Sequence, residues 1–128
     1  MLIGRILTEM RTRTPDKIAL WFGERSWTFA ELDDATDRIA ANLSAAGVRA
    51  GDRVGLFFPN CSELVLGYFG CFKLGAIAVA MNYRYRQPEA RYALEHSYFV
   101  PPAVLALPEE SPPVLLQKTC AVSGRRAA

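Results

Sequence analysis

Gly70-Cys-Phe-Lys-Leu-Gly75 separates two glycines by the spacing of a phosphate-cradling loop, in which successive backbone amides wrap an anion. That chemistry also needs a Lys-Ser/Thr pair straight after the second glycine, and Ala76-Ile77 stands there. The glycines fall inside an apolar helical stretch and at its end, so they read as helix packing against a sheet (with Gly67) and as a cap. His96 is the only histidine, which removes paired-histidine relays and histidine clusters for metal. No G-x-S-x-G elbow supplies a nucleophile for it. Near the end of a helix, it reads as a surface group that complements the dipole. Asp33, Asp34 and Asp37, on a capped helix, read as its solvated face and the complement of its N-terminal dipole. Trp21 and Trp27, with Phe22 and Phe29, read as a core between a hairpin and a helix rather than a stacking platform. Cys61, Cys71 and Cys120 have no C-x-x-C spacing and are odd in number, as expected of reduced, buried thiols in a cytoplasmic protein. No catalytic, cofactor-binding or metal-ligating residue is assigned.

The elements that would position these residues follow from periodicity. Leu2, Ile6, Leu7 and Met10 predict a first helix that ends at Thr14-Pro15-Asp16. Ile18 to Phe22, a turn at Gly23-Glu24, and a returning strand at Ser26-Trp27 predict a hairpin. Thr28-Phe-Ala-Glu31 is a capping box, and Phe29, Leu32, Thr36, Ile39 and Leu43 form one stripe on the helix behind it. Gly47 is placed for a left-handed stop. Arg53 to Phe58 is apolar enough for a strand covered on both faces. Asn60-Cys61-Ser62-Glu63 predicts a capped start to a helix over 63–74, and Ala76 to Ala80 the next strand. Strand, helix and strand make a βαβ unit, whose parallel strands need a right-handed crossover. Gln87-Pro88-Glu89 opens another helix to about Ser97. The fold class is therefore α/β: a hairpin plus a βαβ unit with flanking helices.

With 128 residues, 51% hydrophobic and 22% charged, the chain can bury a core and is not expected to be disordered. A net charge of +2 with scattered arginines argues against a nucleic-acid partner. Leu64 to Met81 is nearly long enough to span a membrane, but Lys73 and three glycines favour a helix followed by a strand. The N-terminus is too interrupted by Arg5 and Glu9 for a signal peptide. Five of the eight prolines fall after Tyr98, so residues 98–128 are expected to be a divergent, loosely ordered tail with one short strand near Val104 to Leu107.

Three stretches in order resemble a known family: Thr14-Pro-Asp-Lys-Ile-Ala-Leu20, Trp27-Thr-Phe-Ala-Glu-Leu32, and Gly51-Asp-Arg-Val-Gly-Leu56 with Pro59-Asn60. Gly67 to Ala76, Met81-Asn-Tyr-Arg-Tyr85 and Glu89 to Ser97 extend the likeness over residues 1–97. The sequence resembles the N-terminal domain of the AMP-dependent synthetase and ligase superfamily, with Asn82 to Tyr85 similar to its acyl-CoA synthetase branch. The resemblance implies activation of a carboxylic, fatty-type acid by ATP and Mg²⁺ to an acyl-adenylate, then transfer to coenzyme A. The family's phosphate loop, adenine-contacting segment, ribose-binding Asp and catalytic Lys have no counterpart in this sequence. It is therefore expected to be an inactive, truncated synthetase-like scaffold with no cofactor of its own. The alternatives are a module docking on an intact synthetase or a piece of a peptide-synthetase adenylation domain. Self-association or docking is expected through exposed sheet edge.

Overall fold

The computed structural model describes residues 2–82, Arg84, Pro88 and the backbone of two later strands. The helix expected from Gln87 to Ser97, His96, Cys120 and most of residues 98–128 lie outside the described residues.

A single 3-10 turn, Ile3–Arg5, leads into α1, Ile6–Arg13, of which Leu7 alone is buried. Strands β1, Ile18–Phe22, and β2, Arg25–Thr28, form an antiparallel hairpin about Gly23, whose φ of 59° suits a residue without Cβ. Thr28 then caps α2, Phe29–Ala45. Its hydroxyl accepts from Glu31 N at 3.2 Å, and the Glu31 carboxylate accepts from Thr28 N at 2.9 Å. This is the reciprocal box the sequence predicts, and it fixes where the hairpin stops and the helix begins.

Strand β3, Arg53–Phe58, enters the middle of a second sheet, and α3, Ser62–Leu74, returns the chain to β4, Ile77–Asn82. β3 and β4 run parallel and in unbroken register from Arg53–Ile77 to Phe58–Asn82. On its other side β3 pairs in parallel with β5, Ala103–Ala106, where the sequence suggested a short strand. β6, Leu115–Gln117, is antiparallel to β5, giving the order β4-β3-β5-β6. The apolar run from Leu64 to Met81 is thus split between α3 and β4. Among the described residues, no helix is long and apolar enough to cross a membrane.

Leu32, Ala35, Ile39 and Leu43 of α2 meet Val54, Leu56 and Phe58 of β3 and Leu66 and Cys71 of α3 in one core. Two glycines let α3 come this close. A Cβ on Gly67 would lie 3.2 Å from the Leu56 side chain, and one on Gly70 only 2.4 Å from Ile39 Cγ2. Gly67 therefore serves the sheet, as expected, but Gly70 serves α2 instead. Gly75 closes α3 at φ 78°.

The helix start differs from expectation. Cys61 rather than Asn60 is the N-cap, and it makes no side-chain cap bond. Ile77, expected in the core of the βαβ unit, is 47% exposed, while its neighbours Ala76 and Ala78 pack against the core instead. Trp21 and Phe22 are likewise not core: they are 65% and 48% exposed, while Leu20, Trp27 and Phe29 are the hairpin and cap residues that pack inward.

Candidate functional site

Among the described residues, the densest set of charges sits where α1, α2 and α3 meet. Asp33 is only 3% exposed, which corrects its assignment to the solvated face of α2. Lys73 reaches it from the last turn of α3. Its Nζ donates to Asp33 Oδ1 at 2.5 Å, to the Asp33 carbonyl at 3.0 Å and to Asp37 Oδ1 at 2.6 Å. From α1, Thr8 Oγ1 donates to Asp33 Oδ1 at 3.0 Å, and Arg11 Nη1 donates to Asp33 Oδ2 at 3.4 Å and to Asp34.

Burial would push the Asp33 carboxyl up. The bonds from Lys73, Thr8 and Arg11 outweigh it and hold the group below the ordinary aspartate range. The same contacts with Asp34 and Asp33 raise Arg11. Asp33 thus stays ionised with both oxygens engaged by neighbours, so it is neither a proton donor nor an open ligand. The cluster is a clamp between three helices. Two signals for it stand in the sequence: a lone lysine in an apolar run, and Asp33 and Asp37 one turn apart on α2.

A second polar set lies at the carboxyl end of β3, where α3 begins. Strand order reverses here, with β4 on one side of β3 and β5 on the other, and open α/β sheets commonly bind ligands at such a place. Glu63 accepts from Ser62 Oγ at 3.1 Å and pairs with Arg25 Nη1 at 3.6 Å. The Arg25 guanidinium also lies over the Trp27 ring, 4.2 Å from its centroid. For Glu63, burial raises the carboxyl, but its own backbone amide, Ser62, Cys61 and Arg25 together lower it. For Cys61, burial leads in pushing the thiol up, with Glu63 adding to it. A protonated thiol beside a carboxylate committed to Arg25 is not an activated nucleophile. Cys71, wholly buried, is pushed up to about 12 by desolvation. Cys61 and Cys71 are both free thiols.

These residues do not fit ATP and Mg²⁺. The phosphate-loop-like glycines belong to α3 and its cap, and Lys73 between them is spent on Asp33 and Asp37. Among the described residues, no three His, Cys, Asp or Glu side chains converge to hold a metal ion. His96 is outside the described residues.

Comparison with known proteins decides what the scaffold is. The AMP-binding enzyme family matches residues 7–118. The chain belongs to that family. The match runs past Ser97 and takes in the backbone of β5 and β6.

Among curated members of the family, an acyl-CoA ligase of Aspergillus fumigatus is 37% identical over 98 residues, 74% of this chain and 16% of that protein. A medium/long-chain-fatty-acid–CoA/3-oxocholest-4-en-26-oate–CoA ligase of Mycobacterium tuberculosis is 40% identical over 86 residues, 67% of this chain and again 16% of the relative. Among solved family structures, the N-terminal domain of FACL13 from Mycobacterium tuberculosis superposes with a TM-score of 0.67 at 34% identity, over 73% of this chain and 24% of that one. O-succinylbenzoate coenzyme A synthetase from Bacillus subtilis, in complex with AMP, gives 0.66 at 36%, with the same shares. The chain spans about one sixth of the length of the curated relatives it matches. It corresponds to part of their N-terminal domain.

Proposed function

We propose that this chain supplies scaffold, not chemistry, to the acyl-CoA ligase branch of the AMP-binding enzymes. The observation that carries the reading is the charge pairing. Every buried ionised group described in the two polar clusters is engaged by protein partners, and each pairing joins secondary-structure elements or fixes the start of α3. The reaction of a complete relative would join a fatty-type acid to AMP at the expense of ATP, with Mg²⁺ neutralising phosphate charge. Coenzyme A would then displace AMP. The residues for those steps would have to come from polypeptide beyond this sequence. A reducing cytoplasm suits the free thiols Cys61 and Cys71.

The test is carboxylate-dependent exchange of pyrophosphate into ATP, with a full-length relative as the positive control. The expected result for this chain is no exchange above a no-protein blank with any acid supplied. Exchange that co-purifies with the chain through a second column would overturn the proposal.

A further inference from the structure

β4 lies at the end of the described sheet, and among the described residues nothing covers that edge. Natural edge strands are usually protected by a lysine, a proline, a bulge or a covering segment. Ile77-Ala-Val-Ala-Met-Asn82 has no charge and no proline, and its register with β3 is unbroken over the whole strand, so it has no bulge. Ile77, Ala80 and Asn82 are exposed, and no described strand pairs with the outer side of β4.

The direction of the free backbone groups follows from one bond. Ile77 N–H donates inward to the Asp52 carbonyl at 2.7 Å. Alternation along the strand then turns the N–H and C=O of Ala78 and Ala80 outward. Side chains alternate as well: Ile77, Val79 and Met81 share the face away from α3, while Ala78 packs toward the core.

We propose that β4 is a self-association edge, which pairs antiparallel with β4 of a second copy about a two-fold axis at Val79. In this register Ala78 of one copy lies opposite Ala80 of the other. Both have outward-facing backbone groups, so each such pair exchanges both N–H···O bonds. Val79 faces Val79 of the second copy, and Ile77 faces Met81. The two-fold keeps Ile77, Val79 and Met81 of both copies on one side of the joined sheet, where the six side chains make an apolar cross-strand row. The occupant is argued from the strand itself. Its composition is nearly symmetric about Val79, alanine on either side and then a large apolar residue. It carries no charge, so self-pairing sets no like charges opposite each other. The interface is isologous and closes at two copies. The inference rests on β4 alone and stands whether or not the scaffold reading of the function holds.

Sedimentation of the chain over a dilution series tests it. The expected result is a reversible monomer–dimer equilibrium. Val79→Lys places two ammonium groups face to face and should weaken the dimer by at least about ten-fold, the equivalent of about 1.4 kcal/mol. Val79→Thr, uncharged and equally suited to a strand, should dimerise as the parent does. The register is tested by charge exchange. Ile77→Lys and Met81→Glu should each weaken the dimer, and the two together should restore it, because the new lysine of each copy then faces the new glutamate of the other. Circular dichroism checks that each variant is folded. A chain that stays monomeric throughout the series overturns the proposal. So does a ladder of aggregates without a discrete dimer, or a double variant no tighter than the single ones.

Discussion

The α2–α3 contact and the β1–β2 hairpin both carry large apolar side chains and an Arg or Lys paired with a carboxylate, yet they reach opposite states. At the helix contact, Gly70 brings the backbones together, Ile39 fills the space, and Lys73 buries its ammonium on Asp33 at the rim. In the hairpin, Arg25 reaches Glu63 from an exposed position, and Trp21 and Phe22 stand in solvent. Burial of the charges makes the difference. A pair removed from water must be complete, because a missing partner leaves a bare charge in a poor solvent, whereas an exposed pair is screened and contributes little. The helical region should therefore respond steeply to substitution and the hairpin weakly.

The steepest response is expected at Asp33. Asp33→Ala leaves the Lys73 ammonium, 8% exposed, with only Asp37 and a backbone carbonyl for partners, and should cost about 3–5 kcal/mol in urea unfolding at neutral pH. The effect has a predictable pH dependence. Because Asp33 is held below its usual range when folded, its contribution is fully present above about pH 4 and is lost as pH falls through the folded value. The gap between parent and variant should close on acidification below that range. A gap that stays constant down to pH 2 would mean that the charge on Asp33 is not what stabilises the clamp.

Gly70→Ala comes next. The added methyl would sit 2.4 Å from Ile39 Cγ2 and 2.8 Å from Ile39 Cβ, so α3 must move off α2. A loss of about 1–3 kcal/mol is expected for such overpacking. Ile39→Ala should absorb part of it, making the double variant less destabilised than the two single losses added together. Strict additivity would show that the two residues do not touch.

The same contrast explains what could be read from the sequence. The capping box at Thr28–Glu31, the strand Arg53–Phe58 and the stop at Gly75 were legible because each is a local rule written in consecutive residues. The Asp33–Lys73 bond was not, since its partners are 40 positions apart and only the α2–α3 crossing brings them together. The exposure of Trp21, Phe22 and Ile77 was missed for a related reason. Apolar alternation shows that a strand has a face to cover, but not whether the described chain covers it. Assigning no catalytic residue followed from motif spacing around Gly70–Gly75. In the structure the lysine between those glycines, Lys73, pairs with Asp33 and Asp37.

A moderate effect is expected at the junction between the two regions. Thr28→Ala removes the side-chain acceptor for Glu31 N at the start of α2 and should cost about 1 kcal/mol. Thr28→Ser keeps the acceptor and should restore most of it. If serine does no better than alanine, the hairpin rather than the cap sets the helix start.

The smallest effect is expected at Trp21, where the comparison is tested from its weak side. The side chain is 65% exposed, and its neighbours Ala19 and Leu20 supply the inward contacts of β1. Trp21→Thr keeps a residue suited to a strand and removes surface that is mostly in water, so stability should change by no more than about 0.5 kcal/mol. Trp27 is the internal control. Its ring packs against the core beneath Arg25, and its buried Nε1 has no hydrogen-bond partner among the described residues. Trp27→Phe discards that unpaired donor while keeping an aromatic face for Arg25. Its loss of ring volume and its relief of an unsatisfied group oppose each other, and the net change should stay under about 1.5 kcal/mol. Tryptophan fluorescence separates the two sites: the Trp27→Phe variant, which retains Trp21, should emit farther to the red than Trp21→Thr. A Trp21→Thr loss above about 1.5 kcal/mol would place Trp21 against other parts of the fold and remove the contrast between hairpin and helices.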